Sequence, residues 1–401
     1  MSKKKILIVN NNMRIGGVQK ALVNLLKCVH DQYDVTLALF HPGGELMKDI
    51  PADVKVMPVR SAYRFLGMTR YDVQHRPLLK LVRNGFAAIS RLFGRNVAIT
   101  LMALGQKRLT GYDAAISYLH DAGDKGFYGG CNDFVLRHTD APLKIGFLHC
   151  DYLNCGASTP ANGRRYARFT RIAACSEGCK NAFLKALPDL SDRTVVVQNC
   201  QDFEAFRSQA EDEPVQFPGD CLNIVTVARL GREKGIPRAM KALAKLGDTK
   251  HPYHYYVVGE GVERPIVEGM IQQYALEDKV TLLGEKANPY GYMKAADLLL
   301  LPSISEAAPM VIGEAACLGT PILSTLTTSA KDMVEKTGYG WVCENSVDGI
   351  CETLKNLLEE DELLEKRKNE LMNISFDNTL AMEQFAQLLH GAKMNGQEGA
   401  Q

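Results

Sequence analysis

The most informative chemical pattern in this 401-residue sequence is a pair of glutamates eight positions apart, Glu306 and Glu314. Glu306 follows the apolar run 298–301, and Glu314 comes after Pro309, a residue that suits the first turn of a helix. The amides of such a turn lack partners within the helix and favour an anion; here they are those of Met310, Val311 and Ile312. The two carboxylates would then reach different parts of one ligand. Taken alone, a capping glutamate and a surface glutamate explain the pair equally well.

Two cations follow an earlier apolar run at 222–228. Arg229 and Lys234 lie between that run and a segment with helical spacing. A guanidinium can grip a diphosphate as a bidentate fork, and an ammonium can do so as a point charge. A solvated loop would have the same composition, so this pattern alone leaves both interpretations open.

A third loop, at 10–17, joins the first predicted strand to the first predicted helix. Gly16 and Gly17 would let the backbone approach a ligand closely at a helix N-terminus. A dinucleotide site needs the pattern G-x-G-x-x-G here and an acidic residue after the next strand. The sequence has neither, since the second strand ends in Leu39-Phe40-His41. This disfavours an NAD-dependent oxidoreductase and leaves a tight turn as the alternative role of the glycines.

Strands and helices alternate along most of the chain. Apolar runs predict strands at 5–9, 33–40, 54–59, 113–118, 143–148, 171–175 and 194–198, and again at 222–228, 253–258, 280–283, 298–301 and 321–324. Helical spacing between them, and in a charged segment at 347–369, predicts the covering helices. The alternation indicates an α/β fold with two doubly wound parallel sheets, whose ligands bind at the carboxyl ends of the strands.

The domain boundaries follow from the same pattern. We expect an N-terminal, acceptor-binding domain at 1–204, an acidic linker with two prolines at 205–219, and a C-terminal, nucleotide-sugar-binding domain at 220–375. A final helix and polar tail at 376–401 are expected to pack back on the N-terminal domain.

Together these motifs resemble those of the retaining glycosyltransferases of family 4, the glycogen-synthase-like group, of the bacterial surface-polysaccharide type. The resemblance covers roughly residues 5–390 and is densest over 222–340. It is carried by Gly16-Gly17 after the first strand, by the pair Arg229 and Lys234, and by the signature Glu-x7-Glu at Glu306 and Glu314. It implies the GT-B fold, two Rossmann-like doubly wound domains facing a central cleft. Ala307 and Gln19 depart from the residues that many relatives have, Gly and Glu.

The resemblance also implies a role for each matched residue. Arg229 and Lys234 would hold the nucleotide diphosphate, and Glu314 would bind the ribose hydroxyls. Glu306 would contact the donor sugar together with the backbone at Pro309, Met310 and Val311. The glycines Gly16 and Gly17 would pass close to the donor phosphate. His149, after the strand 143–148, resembles the family histidine near the sugar, although a lone histidine is more often structural. The catalytic candidates are Arg229, Lys234, Glu306 and His149.

No resident cofactor is expected, because the nucleotide-diphospho-sugar is a substrate. The sequence Asp-x-Asp does not occur, and the cations and helix amides would themselves stabilise the leaving diphosphate. We therefore expect a metal-independent reaction, in which the resemblance implies same-face attack assisted by the leaving phosphate. The 11 cysteines include Cys175-x3-Cys179, which lacks zinc-finger spacing, so we interpret the thiols as structural.

The segment 60–108 has an unusual charge. It contains ten Lys or Arg and one acidic residue, Asp72, in a chain whose net charge is +1. Between 78 and 93, apolar residues alternate with Lys80, Arg83 and Arg91, a pattern typical of a helix on an anionic membrane surface. We predict contact with the membrane and with a lipid-diphosphate-linked glycan. A core helix with a solvated basic face is the alternative.

The sequence thus predicts a glycosyltransferase that moves a sugar from a nucleotide-diphosphate donor to a growing surface glycan. The donor nucleotide that we expect is UDP. A small or diacylglycerol-type acceptor and a catalytically idle GT-B binding module are the alternatives. Lys and Arg number 47 against 46 Asp and Glu, so nucleic acid is not an expected partner. No apolar stretch has the length of a signal-peptide core or a membrane span, which predicts a cytoplasmic location, free or peripheral on the inner face of the membrane.

Overall fold

The computed structural model describes residues 3–121, 123–360 and 362–390. It divides into two compact units. The first contains the described residues up to Cys200 and those from Asn378 onward, and the second runs from Gln201 to Asp377. The polar tail expected after the last helix lies outside the described residues.

The first unit is built on seven parallel strands. These are β1 (Lys5–Asn10), β2 (Asp34–Leu39), β3 (Lys55–Pro58), β4 (Ala114–Ser117), β5 (Leu143–Leu148), β6 (Arg171–Ala174) and β7 (Thr194–Val196). Their spatial order is β3-β2-β1-β4-β5-β6-β7, so the winding direction reverses between β1 and β4. The inner strands are buried on both faces. Their sequences are therefore continuous apolar runs rather than alternating apolar and polar residues.

Eight helices of the first unit precede Cys200. They are α1 (Gly17–Val29), α2 (Arg64–Gly67), α3 (Arg70–Val73), α4 (Pro77–Phe93), α5 (Arg95–Met102), α6 (Cys131–His138), α7 (Pro160–Tyr166) and α8 (Glu177–Ala186). Short 3-10 turns occupy Glu45–Asp49 and Pro188–Arg193.

The second unit is built on six parallel strands. These are β8 (Leu222–Val227), β9 (Tyr253–Val258), β10 (Val280–Gly284), β11 (Leu298–Leu301), β12 (Ile322–Thr325) and β13 (Gly340–Cys343). The order β10-β9-β8-β11-β12-β13 reverses at β8 and β11. Alternate residues of β11 belong to separate cores on the two faces of the sheet, Leu298 and Leu300 to one and Leu299 and Leu301 to the other. Both units are therefore doubly wound, and the predicted fold class is confirmed.

Helices cover both faces of the second sheet. They are α9 (Phe203–Asp212), α10 (Ile236–Leu246), α11 (Arg264–Gln273), α12 (Tyr290–Ala295), α13 (Met310–Cys317), α14 (Val347–Glu359) and α15 (Leu363–Met372). A 3-10 turn at Arg232–Lys234 and a π-helical turn at Lys331–Glu335 complete the unit.

The last helix, α16 (Thr379–His390), belongs to the first unit. Phe385, Leu388 and Leu389 are buried in the core that β1 and β2 share. Lys4 donates to the carbonyl of Leu389 at 3.1 Å, and Arg171 donates to the carbonyls of Gln387 and Leu388 at 2.9 Å. The two cations thus satisfy carbonyls that the end of a helix leaves unpaired.

Three segments differ from the sequence-based expectations. The first part of the expected linker is α9, because Asp202 caps it and Phe206 and Ala210 are buried on one face. The expected helix at 347–369 is two helices, because α14 ends at Glu359 and α15 begins at Leu363. Residues Gly340–Cys343, for which the sequence predicted no strand, form β13, and a Cβ on Gly340 would lie 1.8 Å from the carbonyl oxygen of Ile322.

In the described part of the chain, no helix combines the length and the apolar character needed to cross a bilayer.

Candidate functional site

The most tightly built polar cluster among the predicted residues joins Lys234 and Glu306. Lys234 follows β8 and Glu306 follows β11, and these strands pair in parallel, so their carboxyl ends lie at one edge of the sheet. The Nζ of Lys234 donates to Oε1 of Glu306 at 2.6 Å, and the hydroxyl of Ser303 donates to the same oxygen at 2.8 Å. The Glu306 side chain is only 12% exposed. One ammonium and one carboxylate are thus held together although 72 positions separate them in the chain.

Gly235 brings these two loops into contact. Its φ is +64°, and a Cβ there would lie 2.2 Å from the carbonyl oxygen of Pro302. The amide of Ile304 donates to the carbonyl of Glu233 at 2.8 Å and joins the same loops a second time. Only glycine permits this approach without moving backbone, so residue 235 sets the position of its neighbour Lys234.

Substitution of Gly235 by alanine is therefore expected to destabilise the fold by more than the strain of a positive φ alone, which is about 1–2 kcal/mol. Gly338→Ala is the matched control, because Gly338 has a φ of +74° and its Cβ would meet only the end of the Arg367 side chain, at 3.5 Å. Urea unfolding of both variants measures the difference. Equal losses would show that the contact with Pro302 does not constrain the loop.

Arg229 is not part of the Lys234–Glu306 contact. Its guanidinium is 76% exposed and donates to Oε1 of Glu233 at 2.7 Å. Burial alone would raise the pKa of Glu233, but the bond from Arg229 and a bond from the backbone outweigh burial and lower it. An exposed pair of this kind contributes little to stability. Arg229 can therefore exchange Glu233 for an anionic ligand at small cost.

Helix α13 begins one residue later than expected. Pro309 is its N-terminal cap rather than its first residue, and the helix starts at Met310. The amide of Ile312 donates to the carbonyl of Pro309 at 3.3 Å, so the expectation that this amide is available to an anion was wrong. The amides of Met310 and Val311 remain the candidates.

Glu314 lies inside α13 and is 4% exposed. Burial raises the pKa of Tyr290, and the neighbouring carboxylate of Glu314 adds to this rise. Glu314 thus lies deeper in the second unit than the Lys234–Glu306 pair does.

The glycine loop of the first unit follows β1. Gly16 is the N-terminal cap of α1 in an extended conformation, and Gly17 is the first helical residue. A Cβ on Gly17 would have no described atom within 4 Å, so packing within the described chain does not require glycine there. Arg14 holds the loop by donating to Oδ1 of Asp72 at 2.5 Å. The space around Gly17 is consistent with close approach of a ligand.

His149 follows β5 and is surrounded by aromatic rings. It stacks on Phe147 with ring centroids 5.5 Å apart, and its ring lies 4.6 Å from that of Tyr118. Its Nε2 is covered and has no hydrogen-bond partner within the described residues. Burial, with a smaller contribution from His120, lowers the pKa of His149 to about 3. Burial likewise lowers the pKa of His120 to about 4. Both imidazoles are therefore neutral near pH 7, and His149 offers a hydrogen bond rather than a charge.

These two histidines predict a pH dependence of stability. Between the depressed pKa values and about 6.5, the unfolded chain binds more protons than the folded chain does. The free energy of unfolding should therefore fall as the pH drops from 6.5 toward 4. We expect His149→Gln and His120→Gln to flatten this fall in urea titrations at pH 7 and pH 5. His75→Gln is the control, because His75 is exposed. If the free energy of unfolding fell with pH as steeply in the two variants as in this control, the buried histidines would not cause the fall.

A buried ionic network in the first unit was not predicted. The guanidinium of Arg95 bonds to Asp121 and, at 3.3 Å, to Asp133, while Arg165 reaches Asp133 at 2.9 Å. Asn132 donates to the second oxygen of Asp121 at 3.0 Å. Asp121 lies close after β4, but no local pattern in the sequence links it to Arg95 or Asp133. The network joins α5, α6 and α7 to the loop after that strand.

The described residues contain no group of three or more His, Cys, Asp or Glu that could hold a metal ion. Cys175 and Cys179 are buried thiols whose sulfur atoms lie 3.7 Å apart. Their contact and burial raise the pKa of Cys175, which keeps its thiol protonated.

Three comparisons relate this chain to known proteins. Residues 208–371 match the family model described as glycosyl transferases group 1. The putative colanic acid biosynthesis glycosyltransferase WcaL of Escherichia coli K12 is 33% identical over 191 residues, which are 44% of this chain and 47% of that protein. A Campylobacter jejuni enzyme named as an N-acetylgalactosaminyltransferase acting on a diphospho-undecaprenol-linked sugar is 29% identical over 148 residues, 36% of this chain and 40% of that enzyme. The chain thus spans about half the length, or less, of these curated relatives.

The fold comparison covers more of the chain. The crystal structure of HepE from Anabaena, solved with UDP and glucose, superposes with a TM-score of 0.66 over 97% of this chain and 100% of that one. The identity is 19%, so the likeness establishes the fold alone.

Proposed function

Because residues 208–371 form a glycosyltransferase group 1 domain on a GT-B fold, we propose that this chain transfers a sugar from a nucleotide-diphosphate donor to a growing surface glycan. The observation that carries the proposal is the Lys234–Glu306 contact at the carboxyl edge of the second sheet. An ammonium and a carboxylate there match the two needs of a donor site, a cation for the diphosphate and an acceptor for sugar hydroxyls. We propose that the nucleotide of the donor is UDP.

In this proposal, the cations and amides of the second unit stabilise the negative charge that grows on the diphosphate as it leaves. Lys234 has three N–H donors, so it can keep its bond to Glu306 and still donate to a phosphate oxygen. Arg229 exchanges Glu233 for the diphosphate, and the amides of Met310 and Val311 add donors beside Pro309. Such preorganised donors stabilise a transition state more than a ground state.

The remaining predicted residues have positioning roles in the proposal. Glu306 accepts hydrogen bonds from the donor sugar, and Glu314 accepts them from the ribose. In the first unit, the open space at Gly17 admits the donor phosphate, and Gly16 has no side chain that would collide with Gln19 beside it. His149 is neutral and hydrogen-bonds the sugar in this proposal, which requires the groups that cover its unpartnered Nε2 to move when the sugar binds.

The chain's own cations neutralise the diphosphate, so the proposed reaction needs no metal ion. We propose separately, from the resemblance to retaining family 4 enzymes, that the reaction retains the anomeric configuration of the donor sugar. A panel of UDP-, GDP- and ADP-sugars, incubated with the purified chain with and without EDTA, tests this by the free nucleotide released. We expect release from one UDP-sugar that persists in EDTA, with the α-anomer appearing first by proton NMR if the donor is α-linked. Release that EDTA abolishes would overturn the metal-free mechanism.

The acceptor is proposed to be lipid-linked, and the chain to work at the inner membrane surface. The relatives support this through their names, which refer to colanic acid biosynthesis and to a diphospho-undecaprenol-linked sugar. Helix α4 supports it structurally, because its outer face carries apolar side chains that are 69–73% exposed: Leu78, Leu81, Leu92 and Phe93. An amphipathic helix with such a face binds the interface of a bilayer.

Vesicle flotation tests the membrane contact. We expect the chain to float with phosphatidylglycerol vesicles and the variant Leu81→Ser/Leu92→Ser to lose most of this binding. Val262→Ser/Ile266→Ser is the control, because these residues are 87% and 54% exposed in the second unit. No flotation of the wild-type chain would exclude the membrane contact.

A further inference from the structure

A pocket in the first unit lies between α3 and α4 and contains only positive charge. Its volume is about 720 Å³, within the range of small-molecule sites. Four cations line it: Arg70, Lys80, Arg83 and Arg91. The other lining residues include two amides and no carboxylate. Within the described residues, none of the four cations forms an ion pair.

The acidic residue of this segment, Asp72, offsets only part of their charge, because its carboxylate raises the pKa of Arg83 by less than Arg70 lowers it. Asp72 accepts from the amide and hydroxyl of Thr69 at 2.6 and 2.8 Å through one oxygen, and from Arg14 at 2.5 Å through the other. Its carboxylate is thus bound to the cap of α3 and to the glycine loop. The rest of the charge of the pocket is therefore left for a ligand.

Arg83 is held in place before any ligand arrives. Its Nε donates to the carbonyl of Met68 at 2.9 Å, and its guanidinium lies 5.4 Å from the ring centre of Phe127. Burial lowers the pKa of Arg83, and repulsion from Arg70 lowers it further. A half-buried guanidinium that faces another guanidinium gains stability when an anion enters between them. Fixed terminal N–H groups suit the paired oxygens of a phosphate.

The position of the pocket on α4 points to the source of the anion. Lys80, Asn84, Ala87 and Arg91 recur at spacings of three and four, so they form one stripe along the helix. The adjacent stripe includes Leu78, Leu81 and Leu92, the exposed apolar face. When that face enters a bilayer, the basic stripe lies at the depth of the lipid headgroups.

We propose that this pocket binds the diphosphate group of a lipid-linked acceptor at the membrane surface. The inference rests on the proposed function and extends it by assigning a site to the acceptor. Four cations without an ion pair match the charge of a diphosphate better than the single charge of a phospholipid headgroup. The apolar stripe beside them accommodates the start of the lipid chain.

The test uses the full-length chain and vesicles without any nucleotide sugar. One set is phosphatidylcholine with a few per cent of a polyprenyl diphosphate, and a second carries phosphatidylglycerol at the same surface charge. The pocket variant is Arg70→Gln/Lys80→Gln. The matched control is Arg60→Gln/Arg76→Gln, which removes two exposed cations of the same segment outside the pocket.

We expect the wild-type chain to bind diphosphate vesicles at least tenfold more tightly than phosphatidylglycerol vesicles, and millimolar pyrophosphate to compete. The pocket variant should lose this preference, and the control should keep it. Equal weakening in the two variants would show diffuse attraction and overturn the site. Tighter binding of a single-stranded RNA that depends on Arg70 and Lys80 would assign the pocket to nucleic acid and also overturn it.

The two proposals fail separately. A chain that releases nucleotide from a UDP-sugar but shows no preference for diphosphate vesicles would contradict the pocket alone. A chain that shows the preference but binds no nucleotide would contradict the proposed transferase and leave a diphosphate-lipid-binding protein.

Discussion

Replacing Lys234 by methionine is expected to lower kcat/KM for sugar transfer by about 10²–10³-fold, the usual cost of removing one donor from a developing negative charge. Methionine keeps the length of the side chain and removes only its charge and donors. The loss should appear mainly in kcat, because the interaction strengthens as the diphosphate leaves. Initial rates of nucleotide release measure both parameters.

Lys245→Met is the matched control for this prediction. Lys245 lies in the same unit and donates to Asp348 at 2.6 Å, the same distance as in the Lys234–Glu306 pair. Both members of the Lys245–Asp348 pair are exposed, however. We expect its activity within twofold of wild type. A Lys234→Met variant that retained at least a third of the wild-type rate would remove Lys234 from the proposed mechanism.

A double variant separates two effects of Lys234→Met, the loss of the cation and the unpaired negative charge that it leaves on Glu306. Lys234→Met leaves the carboxylate of Glu306 with only the hydroxyl of Ser303 as a donor among the described residues, and the negative charge of Glu306 would repel a diphosphate. Lys234→Met/Glu306→Gln removes the repulsion. We expect it to recover nucleotide affinity in part and turnover not at all, since the cation that stabilises the leaving group is still absent.

Replacing Arg95 by methionine is expected to lower the free energy of unfolding by about 3–5 kcal/mol, the cost of leaving one buried charge, that of Asp121, without its cationic partner. The side chains of Arg95, Asp121 and Asp133 are at most 4% exposed, so water cannot replace the guanidinium. Urea unfolding, followed by a signal that reports on the first unit, measures the loss of stability.

Lys180→Met is the control for the buried network. Its pair with Glu177 spans 3.7 Å on the surface of the same unit, and exposed pairs contribute about 0–1 kcal/mol. If Arg95→Met were as stable as Lys180→Met, the network would not hold the loop after β4 in place.

Most of the fold was predictable because the strands are short apolar runs buried on both faces. The run 298–301 predicted β11 to the residue. Strand β13 was missed because Gly340 and Trp341 resemble a turn in sequence. The glycine is there because the carbonyl of Ile322 leaves no room for a side chain. The break between α14 and α15 was missed because residues 359–362 are all acidic and include neither Gly nor Pro to mark the end of a helix.

The candidate site was predictable only as a set of positions at strand ends. Parallel pairing of β8 with β11 explains why Lys234 and Glu306 meet, and the sequence placed each after its strand. It could not show that Arg229 pairs with Glu233 instead, because that depends on the 3-10 turn between them. The Arg95 network joins residues up to 70 positions apart through side-chain geometry alone, so nothing in the sequence near each residue signals it.

The most direct test of the account is calorimetric titration of the full-length chain with UDP in EDTA. The account predicts saturable binding with a stoichiometry of one, weakened at least tenfold in Lys234→Met and unchanged in Lys245→Met. Absence of binding by UDP, GDP and ADP alike would contradict the donor site in the second unit, and with it the proposed transferase.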